Sequence, residues 1–192
     1  MTKVINILGA PGTGKSTYAA KLFAEMKAEG FSCELVQEFA KEIVYADNDK
    51  LRNDQLIVIA EQYRRTFVLD GKIDYIITDS PILLGIIYNK LTTNPYPSQH
   101  FDAVCKNAFE RFENLNILLT HQPNRTYQQS GRVQDFEKSL EIQKQIGSLI
   151  QENRLKCAVN PPVDFVIDEL KRVEKQKTKR IVQKYDGEKM AT

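Results

Sequence analysis

This sequence predicts an α/β fold of three layers, a five-stranded parallel sheet with helices on both faces. Three observations predict it. Five short apolar runs are separated by longer stretches with helical spacing. The runs are rich in β-branched residues and lack polar alternation, as strands buried on both faces do. The alternation of the two kinds of segment implies parallel strands joined by right-handed crossovers.

Taken in order, strands are expected at Val4–Leu8, Cys33–Val36, Tyr75–Thr78, Ile117–Thr120 and, with a weaker apolar pattern, Lys156–Val159. Between the first two, Lys15–Glu29 sets Tyr18, Ala19, Leu22, Phe23 and Met26 on one stripe, with Gly30 where a helix would end. Asn53–Leu69 is a second helical pattern, closed by the Asp70-Gly71 turn signal. Ser139–Glu152 is a third, and Asp164–Lys184 a fourth. Thr92–Gln99 reads as a loop by its two prolines, and Gln122–Gly131 as a polar loop of the length that more often carries function.

The 192 residues are 42% hydrophobic and 27% charged, ordinary values for one globular domain. A chain of this length buries roughly 70% of its unfolded surface and needs no disulfide or structural metal to hold a core. Its three cysteines, an odd number without CxxC spacing, fit a reduced cytosolic setting. The opening residues lack the long apolar stretch of a signal peptide, and no apolar run approaches the roughly 20 residues that span a bilayer. A cytoplasmic protein without a membrane partner is expected. The formal charge of +2 conceals an asymmetry. Residues 1–170 carry 19 basic and 22 acidic side chains, whereas residues 171–192 carry 8 basic and 3 acidic ones. A catalytic body over 1–170, with a lid at about 122–136, and a basic tail over 171–192 are the expected divisions.

The strongest chemical signal is Gly9-Ala10-Pro11-Gly12-Thr13-Gly14-Lys15-Ser16, which meets every fixed position of GxxxxGK[ST]. It follows an apolar strand and opens an amphipathic helix. Glycines let backbone N–H groups close around phosphate oxygens, and the helix N-terminus adds the positive end of its dipole. The nucleotide-binding stretch therefore runs from Gly9 through Thr17. Lys15 would neutralise β- and γ-phosphates, and the Ser16 hydroxyl would ligate Mg²⁺. ATP and Mg²⁺ are the expected cofactors.

The third strand ends in Asp79, where a Walker B carboxylate reaches the metal shell. Ser80-Pro81 follows, without the glutamate that polarises water in motor ATPases. Ile82 stands where a GTPase DxxG would need glycine, and Asn89-Lys90-Leu91-Thr92 lacks the aspartate that reads guanine. These features favour phosphate transfer to an acceptor over hydrolysis. Glu38, at the C-terminal edge of the second strand, faces the crevice where open α/β sheets bind ligands. It could accept a proton from an attacking hydroxyl or hold the acceptor in line. Arg125 and Arg132 flank Thr126–Gly131, from where they could stabilise the charge of the transferring group.

Other polar residues carry a blander expectation. Gln55, Gln62, Arg64 and Arg65 read as solvated helix positions, with a wall of the acceptor site as the alternative. Tyr88 and Tyr96 read as packing residues that could stack on a base. His100 and His121 are lone histidines without metal-ligand spacing, so a structural role is expected. The tail's lysines and Arg180 read as a solvated helix end that could also contact a phosphate backbone.

GAPGTGKST, QEFAKEIV, QLIVIAEQYRR, IITDSPILLGIIY and RTYQQSGRVQ together resemble the phage-encoded P-loop kinases that phosphorylate 5-hydroxymethyl-deoxyuridine in DNA, on the way to thymidine hypermodification. Glu38-Phe39-Ala40-Lys41-Glu42 is similar, more distantly, to a stretch of ribosylnicotinamide kinases. The likeness covers about residues 3–170. It implies the three-layer P-loop NTPase kinase fold, ATP with Mg²⁺, Lys15 and Ser16 in their phosphate and metal roles, Asp79 near the metal or as base, and Arg132 in the lid. Lys41 in place of arginine, and Asp79-Ser80 in place of a second-aspartate pattern, depart from ribosylnicotinamide kinases. The expected activity is a kinase whose acceptor is an alcohol of a nucleoside, most specifically the 5-hydroxymethyl group in DNA. A small-molecule nucleoside, nucleotide or ribosylnicotinamide kinase is the alternative, and a slow ATPase switch or nucleic-acid-binding accessory protein a third. Contacts to adenine are expected near 160–163 by analogy of fold.

Overall fold

The computed structural model describes residues 2–122 and 135–189. Strand β1 (Lys3–Leu8) leads through the glycine-rich turn into helix α1 (Lys15–Ala28) and strand β2 (Cys33–Val36). Helices α2 (Phe39–Tyr45), α3 (Asp49–Arg52) and α4 (Gln55–Phe67) follow, then β3 (Tyr75–Thr78). A 3-10 turn at Ile82–Leu84 passes into α5 (Gly85–Lys90) and α6 (Ser98–Glu110). Strand β4 (Glu113–Leu118), α7 (Phe136–Glu152), β5 (Cys157–Val159) and α8 (Val163–Lys189) complete the order.

All strands are parallel, in the spatial order β2-β3-β1-β4-β5. The α/β fold with a five-stranded parallel sheet expected from the strand–helix alternation is thus the fold observed, and it agrees with the P-loop NTPase fold that the resemblance implies. Strand β1 is central and buried along its whole length, which is why VINIL shows no polar alternation apart from Asn6. Val4 and Leu8 join a core with Ile76, Ile59 of α4, Phe101, Cys105 and Phe109 of α6, and Ile142, Ile146 and Leu149 of α7. Ile5 and Ile7 point to the opposite face, where α1 packs on the sheet with Ala19, Leu22 and Met26 buried.

Three features depart from the sequence reading. Strand β4 begins at Glu113 rather than Ile117 and ends two residues early. Its polar start is held in the sheet because Asn6 Nδ2 donates to Asn114 Oδ1 at 2.8 Å and to Asn116 Oδ1 at 3.2 Å. Helices α2, α3, α5 and α6 were not foreseen. Finally, α6 starts at Ser98 within the stretch read as a loop, directly after Pro97, whose fixed φ suits the residue preceding a helix.

The chain divides into two compact units, Met1–Asn160 and Pro161–Thr192. The first holds all five strands. The second is α8, which carries an Arg172–Glu169 ion pair at 2.6 Å on its own surface.

Candidate active site

The strand order reverses about β1, and ligand crevices of open α/β sheets lie at that point, beyond the C-terminal ends of the strands. The turn leaving β1 occupies it. Gly9, Gly12 and Gly14 have φ of 152°, 85° and 94°, values that other residues rarely adopt. A Cβ at Gly9 would lie 2.6 Å from the Leu119 carbonyl oxygen and 2.7 Å from Thr13 Oγ1. Gly14 caps α1 in the left-handed conformation and no side chain caps that helix. Gly14 has no side chain with which to cap the first N–H groups of α1, which suits an anion site at a helix N-terminus.

The Ala10 carbonyl oxygen is the hub of this turn. It accepts from Thr13 N–H at 3.3 Å, Thr13 Oγ1 at 2.9 Å and Lys15 Nζ at 3.1 Å. The Ala10 N–H donates to Gln143 Oε1 of α7 at 3.0 Å. Ser139, also on α7, donates to the Pro11 carbonyl, and its Oγ lies 2.8 Å from His121 Nε2. Burial, with the nearby Lys15 charge second, pushes the His121 pKa below its ordinary value.

Beside the turn opens a cavity of about 570 Å³, lined at one end by Gly14, Lys15, Ser16 and Thr17. Glu38 at the start of α2, Ser80 after β3, and Gln55 and Gln62 of α4 give it polar groups; Val58, Ile59, Ile82, Leu84 and Leu91 give it apolar walls. Lys41, Tyr45 and Tyr88 also line it. Asp79 is 4% exposed, and its Oδ1 has no hydrogen-bond partner among the described residues. It directly follows β3, the neighbour of β1, in which Thr78 pairs with Asn6.

Of the residues singled out from sequence, the structure brings Lys15, Ser16, Thr17 and Glu38 to one cavity and sets Asp79 at the adjoining strand end. Arg125 and Arg132, with most of the expected lid, lie outside the described residues. Three expectations need correction. Gln55 is buried, at 8% exposure, and lines the cavity instead of standing in solvent. Gln62 is not a solvated position: it is 3% exposed and hydrogen-bonded on both sides of its amide, to Phe39 N–H and Thr78 Oγ1. Arg65 is held by Glu42 at 2.7 Å and 2.9 Å and by Glu61 at 2.9 Å. Tyr96 stacks on Phe101 with ring centroids 5.7 Å apart and donates its hydroxyl to Asp54, so it packs as expected. Ser139, Gln143 and the placement of His121 beside the phosphate turn escaped sequence reasoning. The helix expected from Ser139 begins instead at Phe136, capped by Asp135, so Ser139 lies inside it with its hydroxyl turned to Pro11.

Two observations test whether these residues suit a nucleoside triphosphate and a divalent cation. The turn closes at Gly9 only without a side chain. The partnerless buried oxygen of Asp79 is a hard carboxylate donor of the kind Mg²⁺ takes. The residues fit.

A glycine-shaped turn between the central strand of a parallel sheet and an uncapped helix, ending in Lys15 and Ser16, defines a P-loop nucleotide-binding protein. Residues 4–166 match the family described as AAA domain, and the chain belongs to that family. No curated protein matches it. Among the described residues, no helix is long and apolar enough to cross a membrane.

Proposed function

We propose that this P-loop protein is a Mg²⁺- and ATP-dependent kinase that transfers the γ-phosphate to an alcohol of a nucleoside. The observation that carries this reading is the reach of the cavity's lining, from Lys15, Ser16 and Thr17 of the phosphate turn to Gln55 and Val58 of α4 and Tyr88 of α5. Hydrolysis needs room for one water, whereas walls on α4 and α5, away from the turn that would hold the nucleotide, suit an organic acceptor.

ATP bound with Mg²⁺ supplies the phosphoryl group and part of the charge neutralisation. Backbone N–H groups of Gly12–Ser16 and the Lys15 ammonium would hold the phosphates, and Ser16 with Asp79 would hold the cation. The apolar walls would orient the acceptor and exclude water, so that its hydroxyl is presented in line. Glu38 takes the part of proton acceptor, because it is half-buried and lines the cavity, while Asp79 lies outside the lining and suits the metal.

The motifs that resemble phage 5-hydroxymethyl-deoxyuridine DNA kinases support that group, within DNA, as the specific acceptor. A base inside a duplex does not reach a crevice at strand ends, so the substrate would be single-stranded or flipped. The test is transfer of labelled γ-phosphate to hydroxymethyluracil-containing single-stranded DNA, side by side with free nucleosides and nucleotides. Label on the polymer is expected. Label on free nucleosides alone would keep the kinase and remove the DNA assignment.

A further inference from the structure

Glu38 and Asp79 leave adjacent strands, and the ladder that holds β2 to β3 ends at Val36 opposite Thr78. Beyond that pair the Gln62 side chain bridges the two exits. Gln62 Oε1 accepts from Phe39 N–H at 3.1 Å, and Gln62 Nε2 donates to Thr78 Oγ1 at 3.2 Å. Thr78 Oγ1 also accepts from Ser80 N–H at 3.1 Å. One amide thus ties the residue after Glu38 to a hydroxyl that grips both sides of Asp79. The partners fix its orientation, since the backbone N–H requires the carbonyl oxygen on its side.

The bridge is itself anchored. One turn further along α4, Arg65 forms a two-pronged pair with Glu42 of α2, and its guanidinium lies 5.0 Å from the centre of the Phe39 ring. Helix α2 is therefore held to α4 at Phe39 from two directions.

We propose that Gln62 is a positioning residue for phosphoryl transfer, setting Glu38 against Asp79 and Ser80 through its paired hydrogen bonds to Phe39 and Thr78. This rests on the kinase reading. Gln62 acts through the backbone, so its loss misplaces the two carboxylates without removing either. A misplacement of about 1 Å costs up to roughly 100-fold in rate.

The test combines steady-state kinetics with amide hydrogen exchange of the nucleotide-free protein. Gln62→Met is expected to lower kcat for transfer ~10- to 100-fold, with KM for ATP and for the acceptor within ~3-fold of wild type. Thr78→Val should lower kcat in the same way, Thr78→Ser should restore it, and the loss in Gln62→Met with Thr78→Val should be smaller than the product of the two single losses, as one shared bridge requires; a full product overturns the bridge. Exchange at Phe39 and Ser80 should accelerate together in Gln62→Met. Unchanged exchange at both amides overturns the assignment even in an active kinase. So does a rise in acceptor KM at constant kcat, which would make Gln62 a contact of the acceptor. A wild-type protein that moves phosphate to no alcohol overturns the kinase reading itself, whatever the exchange data show, and the catalytic role of Gln62 with it.

Discussion

The hydroxyl of Ser139 donates to the Pro11 carbonyl oxygen at 2.6 Å, across 128 residues of chain. Because that hydroxyl gives its hydrogen to Pro11, its oxygen accepts from His121, and His121 carries a hydrogen on Nε2. One turn along α7, Gln143 takes the Ala10 N–H. Two peptides of the phosphate turn, Gly9–Ala10 and Pro11–Gly12, are thus set from outside by one helix, so the turn is shaped by tertiary contacts as well as by its glycines. Ser139→Ala strips a buried carbonyl of its donor. It should cost about 1–2 kcal/mol of stability and weaken ATP binding several-fold, checked by urea unfolding and titration calorimetry.

Gly85 opens α5 where three helices meet. A Cβ there would lie 2.5 Å from Ile59 Cγ2 and 3.3 Å from Cys105 Sγ. Overpacking of this kind costs about 1–3 kcal/mol, more than the helix propensity that alanine brings. Gly85→Ala should therefore lower the thermal midpoint by several degrees, roughly 2–4 °C for each kcal/mol in a chain of this size. Gly85 and Ile59 also line the cavity, so acceptor KM should rise with it.

Glu61 is pulled down to about 2, first by its hydrogen bonds to Arg64 and then by those to Arg65, and the Arg65 fork lowers Glu42 as well. Both carboxylates have folded values below their unfolded ones. Their contribution to stability is present above about pH 4.5 and is lost as pH falls toward 2. Arg65→Met removes part of that linkage. The difference in urea midpoint between neutral pH and about pH 3 should be smaller in this variant than in wild type, the change being modest because the pairs are partly exposed.

Asp79→Asn separates a site role from a structural one. A buried carboxylate oxygen with no hydrogen-bond partner contributes little to holding the fold, so the thermal midpoint should stay within about 2 °C of wild type or rise. Mg²⁺-dependent turnover should fall on the order of 100-fold, with nucleotide binding in the absence of metal retained. Calorimetry with and without Mg²⁺ checks both halves.

How far sequence carries can be read from particular residues. Gly9 through Ser16 is legible because local chemistry alone demands those types in that order, and Val4–Leu8 and Tyr75–Thr78 because strands buried on both faces have no polar alternation. Strand β4 was placed late because Asn114 and Asn116 look like surface residues until Asn6, on a strand more than 100 positions away, pairs with them. Helix α6 does carry a pattern, Phe101, Cys105 and Phe109 at i, i+4 and i+8, which the preceding prolines obscured. Gln62 is legible only as a candidate wall of the acceptor site, its bridge between Phe39 and Thr78 depending on the folded sheet, and Ser139 is not legible as a site residue for the same reason.

On this mechanism phosphate goes from ATP to an organic hydroxyl held in the cavity beside Lys15. The most direct measurement follows γ-labelled ATP with and without hydroxymethyluracil-containing single-stranded DNA or hydroxymethyl-deoxyuridine. Slow ATP consumption is expected alone, faster consumption with an acceptor, and label on that acceptor in equal amount to the ADP formed above the acceptor-free control. ATP consumption that ignores both acceptors and releases all label as inorganic phosphate would contradict the mechanism.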